Sequence, residues 1–366
     1  MSDFARRVID WQRSHGRSDL PWQGTRDPYA IWLSEVMLQQ TQVATVVPYY
    51  LRFRARFPDL GSLAAADEDA VLQLWSGLGY YSRARNLHRA AQAIVAQHAG
   101  AFPRALAEIE ALPGIGRSTA AAIAGFAFGA RAAILDGNVK RVLARHFAIE
   151  GFPGERAVEQ RLWQLAESLL PPADIEPYIQ GLMDLGATVC TARAPQCARC
   201  PLHASCAALA QNRVALFPAP RPRRVVPHRR TAMLVLRRAG DVLLQKRPAV
   251  GVWSGLWCFP ELGSDDDPVQ VAKRLYGCEV AGIEPLGSLR HGFTHFTLDI
   301  EPIVARVMRV APRAAQPGVL WMPLEEAIGA AVPVPVRKLL RALGGGSAAA
   351  DQPALFEELV QDLEAR

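Results

Sequence analysis

Four cysteines fall within seventeen residues, in the order Cys190-x6-Cys197-x2-Cys200-x5-Cys206. Thiolates gathered at that density in one loop are soft metal ligands. Zinc ribbons set two Cys-x-x-Cys pairs on separate hairpins. Here a single such pair is flanked by lone cysteines, a wrapping arrangement that suits a [4Fe-4S] cluster with four Cys ligands. Zinc is the second reading and four unligated thiols the third.

A second set of residues carries acid and base chemistry. Glu35 interrupts an otherwise apolar helical stretch, Ile31-Trp-Leu-Ser-Glu-Val-Met-Leu38. A carboxyl there is partly desolvated, which raises its pKa toward neutrality and fits it as a general acid. The plainer reading is a buried glutamate paired with a cation. Leu112-Pro-Gly-Ile-Gly116 is a tight glycine turn leading into a helix, able to aim successive N–H groups and a helix dipole at one anion such as a DNA phosphate. Asp136, in Leu135-Asp-Gly-Asn-Val-Lys140, stands at the start of the next helix, where an ordinary N-cap is the simpler account. The amides of Gln39-Gln-Thr-Gln42 can read base edges. The aromatics of Gly77-Leu-Gly-Tyr-Tyr81, which precede a basic helix from Arg83 to Arg89, can wedge between stacked bases.

These residues need two kinds of scaffold. The chain has 366 residues, enough for two cores. From Phe4 to about Leu216 the pattern is helical, with Asp27-Pro28 as N-cap and first residue of one helix and further starts near Asp67, Ser82, Arg104, Arg117, Asn138 and Glu155. Residues 217–230 hold four prolines, five arginines and no acid, and read as a linker whose arginines also suit a nucleic-acid backbone. Beyond Thr231 the period becomes two. A hairpin is expected over 231–247 with its turn at Ala239-Gly240-Asp241, then a helix over Pro268–Tyr276, strands near 286–289 and 296–307, and a helix near 336–343. Residues 344–350 form a spacer, followed by a short acidic amphipathic helix.

The net charge of +6 favours polyanionic partners without identifying one. No apolar leader opens the chain, and its longest apolar run, Ala120–Ala130, is too short to span a bilayer. A cytoplasmic protein without a membrane partner is expected, and in that compartment cysteines are reduced or metal-bound.

Taken together, Trp32-Leu-Ser-Glu-Val-Met-Leu-Gln-Gln-Thr-Gln42, Gly77-Leu-Gly-Tyr-Tyr81, Leu112-Pro-Gly-Ile-Gly-Arg117, Leu135-Asp-Gly-Asn-Val139 and the cysteine spacing resemble one family. It is the helix–hairpin–helix DNA glycosylases with an iron–sulfur loop, specifically the MutY-type adenine DNA glycosylases, and the resemblance runs from about residue 4 to residue 342. It implies an all-α glycosylase domain over 1–216, with the [4Fe-4S] loop at 190–206, and a basic linker at 217–230. An α+β Nudix-like domain over 231–343 and a tail over 344–366 complete the chain.

By the same resemblance Glu35 protonates a flipped-out adenine and activates the water that follows, Asp136 stabilises the sugar oxocarbenium, and Asn138 orients it. The logic is that of glycoside cleavage, on a base that is unreachable inside the duplex. Trp22, Leu38 and Gln180 match positions lining the adenine pocket. Gln40, Thr41, Leu78 and Tyr80 would fill or wedge the duplex, and Gly114, Gly116 and Ser118 would meet DNA at the hairpin. Ser118 stands where related glycosylase/lyases carry a catalytic lysine, so a monofunctional enzyme is expected, with Lys140 a source of trace lyase chemistry.

In the second domain Phe293, Thr294 and His295 match a Phe-Ser-His stretch that contacts 8-oxoguanine, with threonine in place of serine. The helix Pro268–Tyr276 lacks the glutamates that bind Mg²⁺ in Nudix hydrolases, so nucleotide hydrolysis is not expected. Cys258 and Cys278 read as buried small hydrophobes. The expected partner is duplex DNA containing A·8-oxoguanine or A·G, bound by a monomer associated with the nucleoid. Gln352-Pro-Ala-Leu-Phe356 resembles the Gln-x-x-Leu-Phe peptides that dock on bacterial sliding clamps, the alternative being a tail helix packed on its own domain. The competing readings of the whole chain are a glycosylase/lyase for oxidised pyrimidines, a non-catalytic DNA-binding protein, and a Nudix hydrolase.

Overall fold

The computed structural model describes residues 1–222, 225–312 and 316–345. The tail, with Gln352–Phe356 and the acidic helix expected there, lies outside the described residues. Packing divides the chain into two units. Met1–Ala66 with Ser82–Pro222 form the first, and Asp67–Tyr81 joins the described residues from Val225 to Gly345 in the second.

The helices in chain order are α1 (Asp3–His15), α2 (Pro28–Leu38), α3 (Val43–Arg56), α4 (Leu60–Ala64), α5 (Glu68–Trp75), α6 (Ser82–Gln97), α7 (Leu106–Glu110), α8 (Arg117–Phe128), α9 (Gly137–His146), α10 (Arg156–Ser168), α11 (Ile175–Asp184), α12 (Ala207–Ala210), α13 (Pro268–Tyr276), α14 (Leu324–Gly329) and α15 (Val334–Leu343). All but α5 and the last three build the first unit, and no strand occurs among its described residues.

Four helices of the first unit position the candidate residues. Helix α2 begins where Asp27 accepts the Tyr29 N–H at 3.0 Å and Pro28 occupies the first turn. It is apolar around most of its circumference, and Ile31, Trp32, Leu33, Val36 and Met37 are all buried, which makes it a central helix. Helix α8 starts at Gly116 and presents Ala120, Ala121, Ala122 and Ala124, small side chains that admit close helix neighbours. A Cβ on its Gly125 would lie 2.5 Å from Ile179 of α11. Helix α9 is capped by Asp136, whose carboxylate accepts the Val139 N–H at 2.8 Å. Helix α11 runs into a single π-helical turn, Leu185–Val189, that delivers the chain to Cys190.

The second unit is built on a sheet of β1 (His228–Arg238), β2 (Asp241–Lys246), β3 (Trp257–Cys258), β4 (Glu261–Leu262), β5 (Cys278–Pro285), β6 (Leu289–Gly292), β7 (Thr297–Val310) and β8 (Val319–Pro323). Its main path is β3-β2-β1-β7-β5, with β4 on β1, β6 on β7 and β8 on β2. Strands β1 and β7 pair in parallel from His228↔Thr297 to Arg237↔Arg306, while the other pairs are antiparallel. The expected hairpin is present, with Arg238 opposite Asp241 and Ala239 in the left-handed region at the turn. Sequence periodicity misses β5, because its register shifts twice and Gly282 takes a positive φ, so alternation is lost. Cys258 and Cys278 are fully buried, as expected. No helix among the described residues is long and apolar enough to cross a membrane.

Candidate active site

A cavity of about 990 Å³ opens in the first unit, between the loop before α2, the C-terminal end of α2, the first turns of α8 and α9, and α11. Its walls bring together Trp22, Glu35, Leu38, Gln40, Thr41, Ser118, Asp136, Asn138 and Gln180, residues spread over most of the helical sequence. Trp22 is buried and held edge-on against Tyr50 at 5.3 Å between centroids. Gln40 takes a positive φ of 56° just past the end of α2 and is exposed.

The two carboxyls differ in how they are held. Burial is the main influence on Glu35, with the negative charge of Asp136 second, and together they push its pKa up to about 8. Among the described residues no cation offsets this, so the glutamate-with-partner reading does not hold there. Asp136 is also raised by burial, but the backbone N–H groups of Val139 and Asn138, the charge of Arg141 and the Asn138 side chain all favour its anion. Asn138 Nδ2 donates to Asp136 Oδ2 at 3.3 Å. The N-cap reading of Asp136 is correct, and the residue also lines the cavity. One site therefore holds a protonated carboxyl beside a second buried carboxyl whose anion has backbone N–H, amide and guanidinium partners.

Two arginines that sequence reasoning did not assign support these walls. Arg141 reaches from α9 to Asn138 Oδ1 at 2.8 Å, to the Gly186 carbonyl at 2.6 Å and to the Cys190 carbonyl at 2.7 Å. Arg83, the first arginine of the basic helix that follows the glycine loop, is buried. Its guanidinium donates to the carbonyls of Val36, Met37 and Gln39 at 3.0, 2.8 and 2.7 Å, and to Thr41 Oγ1 at 3.1 Å. It satisfies the orphan carbonyls at the end of the helix that carries Glu35. Ser118 Oγ accepts the Leu135 N–H at 2.9 Å, tying the start of α8 to the strand of chain that ends in Asp136. Lys140 is engaged by Glu159 at 2.6 Å.

The glycine turn stands apart from the cavity lining. Gly114 has a φ of +77°, and a Cβ there would meet Asn86 at 2.6 Å, so glycine is required twice over. Gly116 has an ordinary extended backbone and open space where a Cβ would go. Both glycines are exposed, at the N-terminal end of α8.

Cys190, Cys197, Cys200 and Cys206 line one small void of about 30 Å³, with Arg145 at its edge. Arg145 donates to Cys190 Sγ at 3.4 Å and to the carbonyls of Thr191, Ala192 and Phe217. Burial pushes the Cys200 thiol up to about 11, and charges on the other three cysteines push in the same direction, so the four sulfurs are mutual neighbours. Among the described residues no three of these or other ligating side chains converge on a single ion. Four thiols around one shared void are a donor set of the kind that a cluster with four Cys ligands uses.

Leu78 and Tyr80 belong to the second unit. There α5 and the turn after it are fastened by Lys246 to Asp69 at 2.7 Å, Gln73 to the Gly329 carbonyl at 2.9 Å, Ser76 to the Val332 carbonyl at 2.7 Å and Arg337 to Ser76 at 2.7 Å. Leu78 is buried, whereas Tyr80 is 45% exposed with a φ of +47°, an aromatic ring held out on a strained turn. Phe293 stacks on Phe296 at 4.4 Å and contacts His291 and Trp253, while Thr294 and His295 are exposed beside it. Helix α13 carries Lys273 and Arg274 and no acid, so it offers no Mg²⁺ ligand.

Comparison with known proteins gives matches over both parts of the chain. Residues 33–168 match the profile described as HhH-GPD superfamily base excision DNA repair protein, and residues 231–342 match the NUDIX domain. A protein named adenine DNA glycosylase from Buchnera aphidicola subsp. Baizongia pistaciae (strain Bp) is 36% identical over 92% of this chain and 95% of its own length. One of the same name from Homo sapiens is 34% identical over 93% of this chain and 74% of its own. Among solved structures, a thermostable thymine-DNA glycosylase superposes with a TM-score of 0.52 at 30% identity, covering 57% of this chain and 95% of that one.

Proposed function

The chain belongs to the adenine DNA glycosylase family, and from that premise we propose that it flips adenine out of A·8-oxoguanine and A·G pairs and hydrolyses its N-glycosidic bond, leaving an abasic site. The observation that carries the reading is the meeting, in one cavity, of Glu35, a carboxyl that burial keeps protonated near neutral pH, with Asp136, a second buried carboxyl whose anion is favoured by the Val139 and Asn138 N–H groups and the charge of Arg141.

The chemistry follows from those two states. The Glu35 proton passes to a ring nitrogen of the extruded adenine, which turns the base into a neutral leaving group. As the bond to the sugar breaks, positive charge develops on the ring carbon and oxygen, and the Asp136 carboxylate stabilises it across a water-poor wall. Asn138 keeps the Asp136 carboxylate turned toward the sugar. Glu35, now ionised, accepts a proton from the water that completes hydrolysis. Trp22 and Leu38 supply an apolar bed for the purine and Gln180 a polar edge. The hairpin glycines and the first turn of α8 take a phosphate, Gln40 and Thr41 fill the duplex, and the exposed ring of Tyr80 wedges into it.

Ser118 has no amine, its hydroxyl accepts a backbone N–H, and Lys140 is paired with Glu159, so no Schiff base is routed through these positions. Cys190, Cys197, Cys200 and Cys206 would hold a [4Fe-4S] cluster, which when bound supplies four covalent cross-links to their loop. Phe293, Thr294 and His295 read the opposite 8-oxoguanine. The enzyme works as a monomer on DNA at the nucleoid, in the cytoplasm, and Gln352–Phe356 is its contact to a sliding clamp.

A duplex with one A·8-oxoguanine pair tests the reading. Adenine release by the wild type, its loss in Glu35→Gln and the absence of borohydride-trapped adduct are expected. Undiminished release by Glu35→Gln refutes the assigned acid. A broad iron–sulfur absorption band in protein purified without oxygen checks the cluster.

A further inference from the structure

Gln180 lines the cavity, and its amide Nε2 donates to Asp184 Oδ1 at 2.9 Å, one turn further along α11. Asp184 is fully buried, a costly place for a carboxylate unless it is paired. Its partner is Arg17, which approaches through both backbone and side chain. The Arg17 N–H donates to Oδ2 at 2.9 Å, Nε donates to Oδ1 at 2.7 Å, and Nη2 stands 2.6 Å from Oδ1. The Arg17 loop is itself pinned, because Gln23 donates to the Arg17 carbonyl at 3.0 Å and accepts the Leu20 N–H at 3.1 Å.

An ionised carboxylate only accepts hydrogen bonds. A glutamine amide has a donor end and an acceptor end, and in isolation either can face a ligand. Beside Asp184 the choice is removed, since the NH₂ group must point at the carboxylate and Oε1 is the end left for the cavity. We propose that Asp184, held by Arg17, is a positioning residue that fixes the Gln180 amide with its oxygen toward the substrate, so that the pocket selects a purine with a hydrogen-bond donor at its sixth position. Adenine carries such a donor, an exocyclic amine. Hypoxanthine and guanine carry a carbonyl there, which would face the Gln180 oxygen lone pair to lone pair. This inference rests on the proposed adenine chemistry and adds the origin of its selectivity.

The experiment measures single-turnover release from full-length protein on two duplexes, with adenine or hypoxanthine opposite 8-oxoguanine. The wild type should release adenine at least tenfold faster than hypoxanthine. Asp184→Asn keeps the shape of the side chain but can donate to Gln180 as well as accept, which frees the amide to turn. The adenine-to-hypoxanthine ratio should then fall at least tenfold. A lowered rate with an unchanged ratio makes Asp184 a purely structural residue and overturns the proposal.

Gln180→Glu serves as a second variant that leaves the Arg17–Asp184 pair in place. Its new carboxyl must hold a proton against Asp184, so adenine release should decline with rising pH well below the alkaline limit of the wild type. A pH profile coincident with the wild type also overturns the proposal. Absence of adenine release by the wild type itself would instead sink the underlying function.

Discussion

Glu35 and Asp136 line one cavity, and the charge of Asp136 adds to burial in raising the proton affinity of Glu35 to a pKa of about 8. The direction of the resulting pH dependence is fixed. The protonated Glu35 is the competent form, so single-turnover adenine release should hold steady through neutral pH and fall as pH rises through about 8. Stability follows the same proton. The folded state binds it more tightly than the unfolded chain, so this contribution is complete below the ordinary value of 4.5 and is lost as pH rises toward 8. Glu35→Gln removes the penalty, and its melting temperature should exceed that of the wild type at pH 8 and approach it at pH 4.5. A constant difference across that range contradicts the raised pKa.

Asp136→Asn separates the two duties of that residue. Asparagine caps helices about as well as aspartate, so unfolding free energy should change by less than about 0.5 kcal/mol. The negative charge beside the sugar is gone, and release should fall by about 100-fold or more. Denaturant melts and rates measured on one preparation give both numbers, and a variant that is equally stable and equally active rules out the electrostatic role.

The two hairpin glycines make opposite predictions. Gly114→Ala strains a positive-φ position and strikes Asn86, so it should destabilise the first unit. Gly116→Ala has room in the protein and an ordinary φ, and its stability should stay within about 0.5 kcal/mol of wild type. Its space is needed only if a phosphate backbone comes close. A several-fold loss of duplex affinity without loss of stability, read by fluorescence anisotropy, is the expected signature, and unchanged affinity would remove the hairpin from the DNA contact.

Much of this site was legible in the chain because its signals are local. An acid within an apolar helix marks Glu35, an Asp-Gly-Asn helix start marks Asp136, and cysteine spacing marks the loop. Asp184 gives the same signal as Glu35, an acid in the apolar run Gly181-Leu-Met-Asp-Leu-Gly186, and could have been singled out on that ground. Arg83 could not, because its partners lie more than forty positions away and a basic helix face looks alike whether its arginines are solvated or buried. The packing of Asp67–Tyr81 with the second unit is likewise set by polar contacts to residues some 180 to 260 positions distant. Strand β5 escaped because its bulges and its Gly282 break the alternation on which strand recognition depends.

Gly186 offers a test of how the cysteine loop bears on the catalytic wall. It sits in the π-helical turn before Cys190, where a Cβ would lie 2.5 Å from the Asn138 side chain and 2.9 Å from its Cα. Its carbonyl accepts from Arg141, the same guanidinium that holds Asn138 and the Cys190 carbonyl. Gly186→Ala therefore cannot be absorbed by a flexible side chain, and must push the first turn of α9 or the turn that carries Cys190. Overpacking of this kind costs about 1–3 kcal/mol. Because Asn138 bonds to Asp136, adenine release should drop at least tenfold even at temperatures where the variant is fully folded. Arg141→Leu removes the shared donor without adding bulk and should lower the rate in the same direction. Full activity in both folded variants would mean that the turn before Cys190 and the Asp136 carboxylate are mechanically independent.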